Sequence, residues 1–449
     1  MTPDNKRLSA LCLSFFILFF AFFAAQNQVG PTLGTWGTTS LGILYASFAG
    51  SAFIAPSLLQ YLTPSLRSDS LSAEVKTLTF GSVLYAPYLF SCSLGNKDSI
   101  RWFQLVSSGI LGIGAGLLWV SQGSLLTSSC TPSNRGRWSG FFWASFMLGN
   151  AAGNYVTAGA LDHVSVSTVF LGLTGVSLLS SATLCVCLRP RTSEECVVRS
   201  NMNVLREPLA VVEHEKQQEQ TRSGEATSEV TLSLPLGSGV REDITKLLSA
   251  LKTPAVRTLL ALLLFIGCEN SFWGGAFPDV VSKRFGDQTV ALVSGVLATF
   301  DIVASIVSGL LLDVYKIDSR ILLFFGILAL TTGSILVWME KNISEVTKGS
   351  FSSSIWMSYI AASCMGVGDG VCNTVAITRL QILSVNHNLM SKRTAFQLFQ
   401  CVNVGMTAVT FVVLSNFPAN GSNCVWYILE SLALCSLLCL LVGTRVAYK

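Results

Sequence analysis

Mostly apolar runs of about 20 residues follow one another along the chain, each near the length an α-helix needs to cross a bilayer at about 1.5 Å per residue. Six lie near Leu8 to Gln28, Ser40 to Leu62, Val75 to Leu94, Trp102 to Thr127, Trp138 to Leu161 and Val166 to Leu188. Six more lie near Arg257 to Pro278, Thr289 to Leu312, Ile321 to Met339, Ile355 to Ile382, Thr394 to Phe417 and Val425 to Val446. The pattern predicts an all-α polytopic membrane protein with twelve transmembrane helices in two six-helix halves. Residues 1–188 form the first half, 189–256 a polar linker and 257–449 the second half.

Composition agrees. Only 12% of the 449 residues are charged, about half the share usual in soluble proteins, which argues against an ordinary cytosolic enzyme. Twenty of those charges fall between Arg189 and Arg257, ten of each sign. The Glu/Gln/Ser-rich stretch from Glu213 to Glu229 has too little apolar surface to offset its ordering entropy, so the linker is expected to be mostly disordered. Lys6 and Arg7 precede the first apolar run as in a signal peptide. That run is longer than the apolar core of a signal and lacks a small-residue cleavage site, so it reads as an uncleaved helix.

Basic residues orient the chain. With both termini cytoplasmic, the linker and the short inner loops hold 22 Lys/Arg and the outer loops six, as the positive-inside tendency requires. The sequons Asn342-Ile343-Ser344 and Asn420-Gly421-Ser422 then fall in outer loops, where glycans are added. The 13 cysteines are irregularly spaced and mostly within apolar runs, which suits small buried hydrophobes rather than a metal site or a disulfide framework. A disulfide at Cys130 or Cys424 would need a partner close by.

Short strings recur between spans six apart. Gly112-Ile113-Gly114-Ala115-Gly116 in span four parallels Gly366-Val367-Gly368-Asp369-Gly370 in span ten. Phe22 to Asn27 in span one parallels Phe265 to Asn270 in span seven, and Arg137 parallels Arg393. A duplicated six-helix unit with a midplane site between the copies is a common transporter plan. The glycine runs lie within apolar helices without the strand-turn-helix setting of a nucleotide loop, so they read as places where helix backbones approach closely.

The polar residues inside the spans are the candidates for chemistry, since embedded charge is costly and faces a cavity or partner. The first half offers Gln26 and Asn27 in span one, Gln122 near Trp119 in span four, and Asn150 with Asn154 in span five. The second half offers Glu269 and Asn270 in span seven, Asp301 in span eight, and Asp369 with Asn373 in span ten. The three acids lie roughly 15–20 Å deep by residue count. An embedded amide also serves as glue between helices, and a protonated acid can do the same. Arg379 and Glu430 lie near span ends, where snorkelling suffices, and the aromatic runs Phe15 to Phe23 and Trp138 to Phe146 read as lipid-facing or packing surface.

The string Leu118-Trp119-Val120-Ser121-Gln122-Gly123, with Gly140-Phe141-Phe142-Trp143 and Gly149-Asn150 after it, resembles the uncoordinated-93 family of the major facilitator superfamily. Leu44-Tyr45, Gly267-Cys268-Glu269 and the stretch from Gly366 to Asn373 add to the resemblance. The superfamily's Gly-x-x-x-Asp signature is missing after span two and partly present as Gly309 to Asp313 after span eight. The resemblance implies a fold of major facilitator type in which spans one, four, seven and ten line a central cavity. It would bring Gln26, Asn27, Trp119, Gln122, Glu269, Asn270, Asp369 and Asn373 around that cavity, with Asp301 beside them.

Two functions fit these expectations. One is a secondary transporter of a small polar or cationic solute or ion, working by alternating access, with Glu269, Asp301 or Asp369 carrying a coupling proton. The other is a non-transporting accessory protein that regulates a potassium channel or escorts a membrane receptor, as the family resemblance implies. Neither calls for a cofactor, a metal or nucleic acid; the expected surroundings are the lipid bilayer and, for the second, a membrane-protein partner. The setting is a secretory-pathway, plasma or endolysosomal membrane. Asp243 to Leu248 fits an acidic dileucine sorting address or an amphipathic lead-in to span seven. Glycan mapping tests the topology: the gel shift of the glycosylated protein should disappear with Asn342→Gln or Asn420→Gln. Modification of a sequon engineered into the linker would overturn it.

Overall fold

The computed structural model describes residues 3–62, 70–131, 133–188, 236–347, 355–385, 392–416 and 421–442. Among these the regular structure is helical throughout. Before the linker come α1 (Pro3–Leu33), α2 (Thr35–Leu62), α3 (Ser70–Val83), α4 (Tyr85–Ser93), α5 (Arg101–Ser129), α6 (Arg135–Leu161) and α7 (Val166–Cys187). After it come α8 (Leu236–Leu251), α9 (Pro254–Ser271), α10 (Phe277–Phe285), α11 (Asp287–Asp313), α12 (Ser319–Thr347), α13 (Ile355–Val385), α14 (Lys392–Asn416) and α15 (Gly421–Val442).

Among the described residues, nine helical stretches are long and apolar enough to cross a membrane. The other three expected spans are helical but depart from that standard for visible reasons. Span three is split into α3 and α4 at Leu84, because Pro87 has no N–H to offer and crowds the Val83 carbonyl. Span five, α6, carries Arg135, Arg137, Asn150 and Asn154. Span twelve has a shorter apolar stretch, Asn423–Cys439. Span seven is continuous but widens into a π segment over Phe272–Ala276 between α9 and α10, where Pro278 leaves the Gly274 carbonyl without its usual donor.

The two glycine runs act as expected and alike. A Cβ on Gly112 or Gly116 of α5 would overlap α2, and one on Gly114 would overlap Gly81 of α3. On α13, a Cβ at Gly366 or Gly370 would overlap α11, and one at Gly368 would overlap Gly326 of α12. Glycines two apart lie on opposite sides of a helix, so each run admits two neighbours at once. The neighbours are spans two and three in one case and eight and nine in the other.

Helices from before and after the linker meet mainly along two seams, α6 with α11 and α2 with α14. At the linker-side end of the first, Asp313 caps the start of α6, accepting from the backbone N–H of Gly136 at 3.1 Å and of Arg137 at 2.6 Å. At its far end, Gln288 donates to Asp162 at 3.0 Å. Along the second, Gln397 donates to the Phe53 carbonyl at 2.5 Å, the Cys401 thiol to that of Ala49 at 3.8 Å, and Tyr45 stacks on Phe411 at 5.4 Å. Spans five and eight thus mirror spans eleven and two.

One expectation needs correction and others gain detail. Of the linker, expected to be mostly disordered, residues 189–235 lie outside the described residues, and the last part is α8, which packs on α2 and α14 and buries Leu247 and Ala250. Half of the proposed dileucine pair is therefore inside the fold, and Asp243 to Leu248 reads as the lead-in to span seven. Asn342 lies not in a loop but on α12, where its amide donates to the Trp338 carbonyl at 2.8 Å; Asn420 falls outside the described residues. Of the two readings of the aromatic run Phe15 to Phe23, packing is the one seen, with Phe15, Phe19, Phe22 and Phe23 buried. Cys130 and Cys424 are both free thiols.

Since a backbone contact cannot repack as a side chain can, Gly366→Ala should cost about 1–3 kcal/mol of overpacking. Gly172→Ala, which meets open space on α7, should leave the melting temperature of the purified protein unchanged or slightly higher. Equal melting of the two variants would overturn the close-approach reading.

Candidate functional site

The acids come from three apolar helices. Glu269 ends the apolar part of α9, Asp301 lies midway along α11 and Asp369 midway along α13. All three are at most 1% exposed. Asp369 is the middle member, interacting with Glu269 on one side and Asp301 on the other. Each aspartate has a helical neighbour four residues on: Ser305 Oγ donates to Asp301 Oδ1 at 2.8 Å, and Asn373 Nδ2 to Asp369 Oδ1 at 2.5 Å. Gly370 makes room for Asp301, whose carbonyl and carboxyl a Cβ there would crowd.

Both Glu269 oxygens, Asp301 Oδ2 and Asp369 Oδ2 have no donor. Ionised carboxylates only accept, so the contacts among the three acids become hydrogen bonds only when protons occupy them. The described ion pairs lie elsewhere, as in Arg284 with Glu340 at 3.4 Å or Arg137 with Asp313 at 3.7 Å. Three carboxylates sharing a water-poor site cannot all stay charged without a compensating cation. The arrangement can therefore take up and release protons, or exchange them for a cation.

Two indoles complete the surroundings, and neither was among the sequence candidates. Trp143 of α6 faces Asp301 and Asp369, while Trp273 of the π segment faces Glu269. Neither indole N–H has a well-formed hydrogen bond. Their spacing was the available signal: Trp273 is four residues after Glu269, and Trp143 is seven before Asn150, two helical turns along one face.

The other candidates divide. Asn373 joins the cluster, but Asn270 does not. Successive helical residues diverge by about 100°, and Asn270 turns to α14, donating to Asn403 Oδ1 at 3.0 Å. Gln26 accepts from the Tyr45 hydroxyl at 2.8 Å. Asn27 donates to Asn154 at 3.2 Å, and Asn154 to Asn150 at 2.6 Å, a relay joining α1 to α6. Trp119 packs within the aromatic group of Phe15, Phe19, Phe142, Trp143 and Phe146. Gln122 is buried, with its amide nitrogen lacking an acceptor. The cluster thus draws on spans five and eight as well as seven and ten.

Charge inside the bundle extends further than the sequence indicated. Glu430 is not a snorkelling residue: it accepts from Ser334, joining α15 to α12. The first half contains a buried acid too, Glu74, which accepts from Ser124 at 2.6 Å. Arg379 reaches Ser319 at 2.8 Å.

Comparison with known proteins adds a lineage. A family profile described as "Ion channel regulatory protein UNC-93" matches residues 34–441. UNC93-like protein 3 of Arabidopsis thaliana is 27% identical over 417 residues, covering 90% of this chain and 79% of that protein. UNC93-like protein MFSD11 of Xenopus laevis is 23% identical over 444 residues, covering 92% and 91%. In fold, the chain is similar to the major facilitator superfamily proton:xylose symporter XylE, with a TM-score of 0.61 at 13% identity, covering 97% of this chain and 94% of that one.

Clustered acids are costly to keep together, and replacing a buried ionic group by a neutral one of like shape is often neutral or stabilising by about 1–4 kcal/mol. Asp369→Asn should therefore raise the melting temperature of the purified protein at neutral pH. A fall would show that the cluster supports the fold rather than burdening it.

Proposed function

The chain belongs to the UNC-93 family, and from that premise we propose that it is a secondary carrier of major facilitator type for a small polar or cationic solute. Its family and fold point to a carrier or an accessory membrane protein rather than to an enzyme. The observation that supports a carrier most is the carboxyl cluster itself, buried where α6 from before the linker faces α11 and α13 from after it, with α9 packed beside α13. In this reading residues 1–188 and 257–449 rock against each other along the two seams, exposing the cluster to one side and then the other. Glu269, Asp301 and Asp369 exchange a proton or the cation as they do so, and Asn373 holds Asp369 in place. Gln26, Asn27, Trp119, Gln122 and Asn270 line the route or brace its walls. The linker and both termini are on the cytoplasmic side.

A second reading has a specific observation in its favour. The Gly-x-x-x-Asp loop survives only after span eight, where Asp313 holds α6, and its counterpart after span two is absent from the sequence. A chain that has this loop after span eight and lacks it after span two fits a regulator of an ion channel, the role in the description of the matching family.

Uptake into proteoliposomes separates the two. A carrier should accumulate cationic or polar solutes when a pH gradient is imposed, and Asp369→Asn or Glu269→Gln should reduce that uptake by at least tenfold. Absence of uptake, with a potassium channel co-purifying equally with native protein and Asp369→Asn, would replace the carrier by the regulator.

A further inference from the structure

We propose that the carboxyl cluster is the binding site for an organic ammonium ion, held by Glu269, Asp301 and Asp369 against an aromatic wall built around Trp143 and Trp273. The proposal rests on the carrier reading for the place of the site, but not for movement of the ligand.

Three features of the site select that class. The first is polarity. The buried oxygens without a donor are both of Glu269, Asp301 Oδ2, Asp369 Oδ2 and Asn373 Oδ1. An acceptor-rich site calls for a ligand rich in donors, and negative side chains call for a positive one.

The second is the wall. Trp143 lies 4.9 Å from Phe146, Phe146 lies 5.0 Å from Phe23, and Phe23 lies 5.5 Å from Trp273, ring centre to ring centre. This chain of rings begins beside Asp301 and Asp369 and ends beside Glu269, so it runs along the cluster from one end to the other. Ring faces attract ammonium groups, most strongly those of tryptophan. A site for a bare hard cation would instead be ringed by oxygens, including carbonyls. Proton storage alone has no use for indoles.

The third is that the indoles reach the carboxyls only loosely. Trp143 and Trp273 are more than nine-tenths buried and face the carboxyls, yet neither N–H has a well-formed acceptor. Trp119 and Trp143, at 8% and 7% exposed, keep a little accessible surface, whereas the acids keep at most 1%. The hydrocarbon part of an amine would lie against these rings with its nitrogen toward the acids.

The test is a binding titration on the purified full-length protein, followed by tryptophan fluorescence and by thermal shift at constant ionic strength. Propylammonium is the probe; tetramethylammonium, potassium chloride and propanol are comparators. Propylammonium should bind saturably and more tightly than tetramethylammonium, which has charge but no N–H, while propanol should not bind. Asp369→Asn and Trp143→Leu should each weaken propylammonium at least tenfold, and Trp143→Phe, which keeps a ring, should remain within about threefold of native. Trp273→Leu serves the same purpose if Trp143→Leu does not fold. Lack of saturable binding, potassium competing as well as propylammonium, or undiminished binding in the leucine variant would each overturn the proposal. Because binding is read without flux, propylammonium binding with no uptake of any solute would remove the carrier and leave the ammonium site. Uptake without ammonium binding would do the reverse.

Discussion

Three carboxyl groups kept together in a site sealed from water set the terms for the rest of this molecule. Lipid provides neither solvation nor hydrophobic drive between helices, so their cost must be met by contacts that hold helices close. The close approach of α13 to α11 at Gly366 and Gly370 is one such contact, and it is the same approach that brings Asp369 and Asp301 together. The packing that stabilises the bundle and the grouping that burdens it share one pair of helices. Hydrogen bonds from Ser305 and Asn373 satisfy one oxygen of each aspartate from within the same helix. Neither satisfies the other oxygen, which is left for a proton or a ligand.

Much of the fold was legible because lipid imposes a length and a hydropathy on every crossing. The apolar runs, the glycine runs and the three acids could be found by counting. What was lost depends on direction rather than position. Glu269 and Asn270 are neighbours in sequence, yet one enters the cluster and the other turns to α14, a difference that a one-dimensional count cannot see. Glu430 looked close to a span end and Glu74 outside one; each is held by a serine from another helix, and such pairings are set by tertiary packing. Trp143 and Trp273 were hidden among aromatic residues whose other members simply pack. α8 was masked by the polar composition of the stretch that precedes it.

The repeat is visible in contacts more clearly than in letters. Spans four and ten admit equivalent neighbours through equivalent glycines, and the two seams pair spans related in the same way. The symmetry fails where chemistry is concentrated. One seam ends in the Asp313 cap, while the other is overlain by α8, which touches both of its helices. The acids that crowd together all come from the later helices, and the earlier ones answer with the Asn27, Asn154 and Asn150 relay and with aromatic rings.

The π segment of span seven has a geometric effect that reaches beyond its own five residues. A wide turn takes in about one residue more than an α turn, so the helix leaves it out of phase with the way it entered. A helical wheel drawn through the whole span would superimpose two different faces and misplace everything beyond Ala276. Read as two wheels, α9 directs Glu269 at the carboxyls, while α10 independently buries Phe277 and Val281. The span acts as two short rods joined at a phase shift, each free to satisfy its own surroundings.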